Sequence, residues 1–235
     1  MSRLARVVVA GFPHHVTQRG NRGAAVFETD EDRETYLRIL RKFCERHGLA
    51  IWAYCLMTNH IHLVAVPETA TSLGQALRDA HTIYARYFNE RTVQHGHVWQ
   101  GRFYSCPMDE AHLWAAVRYV ERNPVRARMA EHASEYRWSS AAAHCGTRSD
   151  ALLSKGFPPP KIVEDWAAWL CEGEDWAAVR HIRSQTHTGR PCGSAEFVDE
   201  LERLLGRIVR PQKRGRKAKN VPIKPEEDHS ESVNS

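Results

Sequence analysis

The chain of 235 residues carries a formal net charge of +5, and 42% of its residues are hydrophobic. That content can bury a core, and the length suits one domain of about 150 residues with an appendage. No run approaches the roughly 18 apolar residues of a membrane span, and the apolar run near the beginning is too short for a signal peptide. The six cysteines include no CxxC pair, which indicates reduced thiols rather than a disulfide framework. We therefore expect a cytoplasmic protein with no membrane partner.

The first part of the chain predicts alternating strands and helices. Residues 12–19 form the first predicted strand and lead into a loop that contains two glycines. Helical spacing follows over residues 30–47, and Gly48 is a stop signal. Two apolar runs, residues 49–57 and 60–66, are separated by only two polar residues. This pattern predicts a β-hairpin.

The next elements complete a recognisable order. A second helix is predicted from Ser72, a fourth strand within residues 99–108, and a third helix over residues 109–122. Asp109 is a favourable N-cap for this last helix, and Pro124 marks its end. The order strand, helix, strand, strand, helix, strand favours an α+β fold, in which helices pack on an antiparallel sheet.

His60 and His62 lie two residues apart in the second strand of the predicted hairpin. Side chains alternate between the faces of a strand, so both imidazoles leave the same face, and Ile61 leaves the other. Two adjacent imidazoles are half of a divalent-metal site. For the His-x-His pattern alone, a half-buried strand with two structural histidines is the commoner explanation.

Tyr119 lies on the flank of the apolar stripe of the predicted third helix, and Asn123 follows one helical turn later. A tyrosine at the edge of such a stripe is usually a half-buried residue with its hydroxyl in water. That interpretation is the commoner one for Tyr119 considered alone.

Five segments with characteristic motifs follow one another along the chain: residues 15–21, 60–62, 96–103, 119–127 and 136–140. Taken together, they resemble the REP-associated tyrosine transposases of the HUH superfamily. Thr188-Gly189-Arg190-Pro191 and residues 214–216 resemble segments in the tails of longer family members, and the resemblance covers most of residues 10–219. The chain departs from the family pattern at Thr58, where proline is expected, and at Arg128, where glycine is expected.

The resemblance implies a ferredoxin-like sheet and a metal-dependent endonuclease that cleaves and rejoins single-stranded DNA, with REP-type hairpins as the expected substrate. Tyr119 is then the nucleophile that forms a covalent phosphotyrosine intermediate. His60 and His62 are the expected ligands of Mg²⁺ or Mn²⁺, with Asn123 as a third ligand, and no organic cofactor is expected. The protein is expected to associate with the nucleoid as a monomer or homodimer.

Polar and aromatic residues in the matching segments are candidates for binding unpaired bases and phosphates. For Trp99, a place in the core is an equally good interpretation. A second group lies in the basic tail, where residues 206–235 hold eight Lys or Arg against four acids, a composition that suits a polyanion but also a solubilising tail. The candidates are Gln18, Arg19, Asn21, Trp99, Gln100, Arg102, Lys213, Arg214, Arg216 and Lys217.

Three regions are expected along the chain. Residues 1–145 form the tyrosine transposase domain, 146–205 a helical accessory region, and 206–235 a basic, disordered tail. Within the accessory region, helices are predicted near residues 163–171, 174–184 and 194–205. The last two with their turn could read double-stranded DNA as a helix-turn-helix, but packing on the main domain is favoured.

Two other functions remain open from the sequence. One is a DNA-binding regulator whose nuclease core is inactive. The other is a metal-dependent phosphodiester hydrolase, in which the histidines activate water and Tyr119 is structural. The products on a denaturing gel distinguish all three.

Overall fold

A computed structural model describes residues 6–159 and 162–211. Its centre is a four-stranded antiparallel sheet of β1 (His14–Arg19), β2 (Leu49–Met57), β3 (His60–Pro67) and β4 (Tyr104–Pro107). The strand order is β2-β3-β1-β4. This order, together with the succession of elements, is the ferredoxin-like arrangement and confirms the predicted α+β fold.

Eight α-helices surround the sheet in the described residues. Helices α1 and α2 pack against each other and against β2 and β3, whereas α3 packs against β2 and β3 and α7 against β4 and β1. Consecutive residues of β2 and β3 are buried, although their side chains alternate between the two faces. The sheet is therefore covered on both faces. The helices are α1 (Asp30–His47), α2 (Ser72–Thr92), α3 (Glu110–Glu121), α4 (Asn123–Arg126), α5 (Ala141–His144), α6 (Trp166–Cys171), α7 (Trp176–Thr188) and α8 (Ala195–Leu205).

Local signals determine the ends of the helices that position the site. In α3, the side chain of Asp109 accepts a hydrogen bond from the backbone N–H of His112, as an N-cap does. The helix ends at Glu121, one residue before its predicted end. Asn123 then begins the short helix α4, with Pro124 in its first turn, where a missing N–H costs nothing.

The accessory region is part of the main body rather than a separate unit. Trp166, Ile182 and Cys192 belong to the same buried cluster as the sheet. The predicted helices near residues 163–171 and 174–184 correspond to α6 and α7, and α7 continues to Thr188, where Gly189 caps it in the left-handed conformation. Helices α6 and α7 and the loop after α7 therefore share the core of the sheet.

The structure describes the first residues of the predicted tail, 206–211, and the rest of that tail lies outside the described residues. Val209 is buried in a second apolar cluster with Val7, Val9 and Leu201, which joins α8 to the beginning of the described chain. Val209 therefore anchors this segment, although the other residues of 206–211 are exposed. No helix in the described residues has the length and apolar character needed to cross a membrane.

Candidate active site

The two histidines of β3 and the tyrosine of α3 converge on one face of the sheet. The ring centroids of His60 and His62 are 5.0 Å apart, and those of His62 and Tyr119 are 5.3 Å apart in an edge-to-face contact. Tyr119 and His62 are both buried. The strand alternation predicted the shared face of the two histidines, and the packing of α3 on the sheet brings Tyr119 to it.

Hydrogen bonds at Nδ1 orient both imidazoles. His60 Nδ1 lies 2.7 Å from Asn59 Oδ1, and His62 Nδ1 lies 3.0 Å from His15 Nε2. Burial lowers the pKa of His60 to about 4 and holds the pKa of His62 well below its usual value. Both rings are therefore neutral at pH 7, and with Nδ1 engaged, Nε2 of each ring remains as the position for a metal ion.

The bond from His62 belongs to a longer chain of polar groups. His15 Nδ1 lies 2.7 Å from the hydroxyl oxygen of Thr186, and that hydroxyl lies 2.7 Å from the carbonyl of Ile182. If Thr186 donates to the carbonyl, it accepts from His15 Nδ1–H, and His15 Nε2 in turn accepts from His62 Nδ1–H. This direction leaves the lone pair of His62 on Nε2, which is the tautomer that binds metal.

Asn123 lies beside the tyrosine but is already occupied on both sides of its amide. Its Nδ2 donates to the carbonyl of Tyr119 at 3.1 Å, and its Oδ1 accepts from the guanidinium of Arg126. The break at Arg122 explains this placement, since Asn123 starts α4 instead of continuing α3. As a metal ligand, the amide oxygen has to be shared with or released by Arg126.

Arg126 also contacts the candidate nucleophile. Its guanidinium carbon lies 4.4 Å from the centroid of the Tyr119 ring, and Glu174 pairs with the guanidinium at 3.2 Å. Burial raises the pKa of Tyr119, and the positive charges of Arg126 and Arg183 oppose that rise. The two arginines thus favour the ionised form of the Tyr119 hydroxyl, against the effect of burial.

These groups line one cleft of about 760 Å³. The sheet, α3, α4 and α7 all contribute to its walls, and the lining is rich in arginine and histidine. Such a lining suits a phosphate-bearing ligand. The charged and aromatic lining residues are His15, Arg19, His60, His62, Tyr104, Tyr119, Arg126, Arg183 and His187.

Comparison with known proteins agrees with this geometry. Residues 9–123 match the family model described as Transposase IS200 like. These residues form a domain of the IS200-like transposase family. The resemblance inferred from the sequence motifs is confirmed for this family, and no curated protein matches the sequence.

Two solved structures are similar to part of this chain. One is described as the REP-associated tyrosine transposase bound to a REP hairpin, with 18% identity and a TM-score of 0.52, covering 66% of this chain and 92% of that one. This similarity supports the fold. The other is a putative transposase from Deinococcus radiodurans R1, with 20% identity and a TM-score of 0.35, covering 52% of this chain and 97% of that one.

In the transposase domain, two of the predicted DNA-binding side chains reach the cleft. Arg19 and Gln100 both line it. Their proximity follows from the backbone, because Gln100 N–H donates to the carbonyl of Arg19, and Arg19 pairs with His60 across β1 and β3. Asn21, whose N–H donates to the carbonyl of Val98, lies in the adjoining turn and does not line the cleft.

Three other predicted DNA-binding residues lie elsewhere. Trp99 is in the core, where its indole N–H donates to the carbonyl of His81 and its ring packs against that histidine. Gln18 is buried, and its amide donates to the carbonyl of Gly101. Both side chains are largely buried, yet they line the same groove as Arg102, away from the cleft, and their role in DNA binding stays a prediction. Arg102 is exposed at a different groove.

The tail candidates Lys213, Arg214, Arg216 and Lys217 lie outside the described residues.

Among the described residues, further side chains line the cleft that were not predicted from the sequence. Arg126 lies in the matching segment 119–127, about one helical turn beyond Asn123, and this spacing could have predicted its place at the cleft. Arg183, Thr186 and His187 come from α7, and only tertiary packing places them here.

Helix α3 is fastened behind the site by a buried carboxylate. Glu121 accepts hydrogen bonds from the hydroxyl of Ser140 and from the indole N–H of Trp166, and it pairs with His144 Nδ1 at 2.6 Å. A buried carboxylate needs such partners. The carboxylate therefore ties the end of α3, next to Tyr119, to α5 and α6.

Proposed function

We propose that this transposase cleaves and rejoins single-stranded DNA through a covalent bond between Tyr119 and the DNA phosphate. The observation that supports it most strongly is the contact of Tyr119 with His62, whose Nε2 is left for a metal ion at the same cleft. A structural tyrosine does not need two histidines and two arginines around its ring. The family match adds the transposase context.

In the proposed reaction, the Tyr119 oxygen attacks the phosphorus of a phosphodiester. The bond from phosphorus to the tyrosine oxygen forms, the bond from phosphorus to the 3′-oxygen breaks, and the proton lost by the phenol is balanced by the proton that the 3′-oxygen gains. The product is a DNA strand attached to Tyr119 and a free 3′-hydroxyl. The reverse attack by a 3′-hydroxyl rejoins DNA without ATP, because the phosphodiester energy is retained in the intermediate.

His60 and His62 are the residues that would hold the divalent cation, with Asn123 as a further oxygen ligand once Arg126 releases it. Neutral imidazoles and an amide oxygen are ligands that Mn²⁺ and Mg²⁺ accept. When bound, such an ion polarises a phosphate and stabilises negative charge on its oxygens. His15 and Thr186 hold the His62 ring in the orientation that this requires.

Three arginine side chains supply further positive charge at the cleft. Arg126 is kept over the Tyr119 ring by Glu174, and Arg183 and Arg19 enter the cleft from α7 and β1. Guanidinium groups bind phosphate oxygens through paired hydrogen bonds. We infer that they hold the phosphate beside Tyr119 while the attack occurs.

The proposed substrate is a single strand or the end of a hairpin. The target phosphate must reach a buried tyrosine at the base of a cleft, and an unpaired strand meets that demand more readily than a duplex does. A solved structure of the same fold is described as bound to a REP hairpin, which supports a hairpin as the first substrate to test.

A denaturing gel with 5′-labelled and 3′-labelled hairpin oligonucleotides tests the proposal against its rivals. We expect a protein-linked DNA product with wild-type protein and Mn²⁺, and loss of that product with EDTA or with His60→Ala and His62→Ala combined. Cleavage without a protein-linked product would instead indicate a hydrolase. Binding without any cleavage would indicate a regulator with an inactive nuclease core.

A further inference from the structure

A second cluster of metal-ligating side chains lies away from the histidine pair of β3. His112 from the first turn of α3, His181 from α7 and Cys192 from the loop after α7 present ligand atoms that all lie within 4.8 Å of one another. The rings of His112 and His181 have centroids 5.3 Å apart. Three ligands from three separate segments thus meet at one point, next to the N-terminus of α3.

The cluster has the surroundings of a metal site. His112 Nδ1 donates to Asp109 Oδ1 at 2.6 Å, so the lone pair of this ring is on Nε2. A carboxylate that receives the other N–H of a histidine is the usual partner of a metal-binding imidazole, because it fixes the tautomer and raises the basicity of the ring. Asp109 is itself held by the backbone N–H groups of His112 and Ser194.

The backbone around Cys192 is also tightly placed. Cys192 N–H donates to the carbonyl of Pro107 at 2.8 Å, and the carbonyl of Cys192 accepts from Asp109 N–H at 3.1 Å. A Cβ on Gly193 would lie 2.8 Å from Asp109 Oδ2 and 2.3 Å from Phe197, so only glycine allows this approach. The loop therefore sits in a fixed position against the end of β4, with the Cys192 sulfur within 4.8 Å of a ring nitrogen of each histidine and also beside the thiol of Cys106.

The donor set indicates the metal. Two imidazole nitrogens and one thiolate form a borderline-soft set that Zn²⁺ binds, whereas Mg²⁺ prefers oxygen ligands. In a tetrahedral zinc site the donor atoms are about 3.3–3.6 Å apart. The ligand atoms of the cluster lie within 4.8 Å of one another, so they have to approach by about 1 Å on binding the ion, and water can complete the fourth position.

We propose that His112, His181 and Cys192 bind a zinc ion that fastens α7 and the following loop to the start of α3. The Cys192 thiol loses its proton on binding, as thiol ligands of zinc do. Because α7 also carries Thr186 and Arg183 at the cleft, the ion stabilises the placement of active-site residues without taking part in the reaction. This inference does not rest on the proposed function.

Cobalt substitution tests the site directly, since a thiolate bound to Co²⁺ gives a charge-transfer absorption band that histidine or carboxylate ligands do not. Metal-free full-length protein, carrying His60→Ala and His62→Ala to remove the other candidate ligands, is titrated with Co²⁺ and then with Zn²⁺. We expect the thiolate band to saturate at one equivalent and to disappear when Zn²⁺ displaces the cobalt. Absence of a thiolate band at saturating Co²⁺ would overturn the proposal.

Two variants and one control assign the ligands. Cys192→Ser should abolish the band, and His181→Gln should weaken Co²⁺ binding at least tenfold, while Cys171→Ser, which changes an exposed free cysteine on α6, should leave both unchanged. Zn²⁺ should also raise the unfolding temperature of the protein with Cys192 and His181 intact. Loss of the band in Cys171→Ser, or unaltered Co²⁺ affinity in His181→Gln, contradicts the assignment. If Cys192→Ser does not fold, His181→Gln alone decides.

Discussion

His15 Nε2 lies 3.0 Å from His62 Nδ1, and the other ring nitrogen of His15 lies 2.7 Å from the hydroxyl of Thr186. Residues from β1, β3 and α7 are thus joined in one chain of hydrogen bonds. Thr186 lies outside residues 9–123, which match the transposase family model. The orientation of a proposed metal ligand in the matched domain therefore depends on a helix that follows it.

We predict that Thr186→Val weakens Mn²⁺ binding at the cleft. Valine preserves the shape of threonine but cannot accept a hydrogen bond from His15, so the tautomer of His62 is no longer specified. Loss of such a partner costs about 10–100-fold in metal affinity. Calorimetric titration measures the Mn²⁺ affinity, and a His181→Gln background weakens metal binding at the second cluster. Thr188→Val, an exposed threonine on the same helix, is the control, and equal Mn²⁺ affinity in both variants would contradict the relay.

We predict that Arg183→Gln slows cleavage at saturating DNA by about tenfold or more, with a smaller effect on DNA affinity. Arg183 lines the cleft and its charge opposes the rise in the pKa of Tyr119, so its interaction with negative charge grows as the reaction proceeds. An interaction made mainly in the transition state appears in the rate rather than in binding. Arg180→Gln, which changes another arginine of α7 that does not line the cleft, should behave like wild type. A loss confined to affinity would make Arg183 a simple binding residue.

We predict that Arg128→Gly stabilises the protein by about 0.5–1 kcal/mol. Arg128 has φ of 57° two residues beyond the end of α4, at the position where the family pattern predicts glycine. An L-residue in this left-handed conformation costs about 1–2 kcal/mol of stability, which glycine avoids. Glycine also makes the unfolded chain more flexible, and this effect reduces the net stabilisation. Urea unfolding measures the change. Arg128→Ala keeps the Cβ and should show no such gain; equal stabilisation by both substitutions would assign the effect to the charge instead.

Most of the local structure was predictable because it follows from local signals. The bounds of α1 follow from its apolar spacing and from Gly48, which adopts the left-handed conformation. The hairpin of β2 and β3 placed His60 and His62 on one face through simple alternation. These signals act within a few residues, so tertiary packing does not alter them here.

The remaining parts of the site depend on contacts between distant segments. Trp99 was open to two interpretations, and it is buried because His81 and Tyr36 pack against its ring. Arg183 and Thr186 reach the cleft only because α7 lies beside β4 and β1. No spacing along the chain indicates that placement. The occupation of the Asn123 amide by Arg126 likewise depends on side-chain geometry.

We predict that the basic tail contributes DNA affinity without sequence preference. Deleting residues 212–235 removes Lys213, Arg214, Arg216 and Lys217 but keeps Val209 in its apolar cluster. On single strands, each phosphate contact contributes about 0.7 to the log–log salt slope. Loss of at least three contacts should flatten the slope by about two units and leave the preference among sequences unchanged. An unaltered slope with faster cleavage would show instead that the tail restrains the active site.

The covalent bond to Tyr119 is the central claim, and mass spectrometry of the reaction tests it most directly. Protein incubated with a hairpin oligonucleotide and Mn²⁺ is digested with nuclease and protease, and the peptides are analysed for an attached nucleotide. We predict a nucleotide phosphate on the peptide that contains Tyr119, and its absence in Tyr119→Phe, which should keep its fold and its DNA affinity because only the hydroxyl is removed. A nucleotide attached to another residue, or DNA cleavage by Tyr119→Phe at the wild-type rate, would contradict the account.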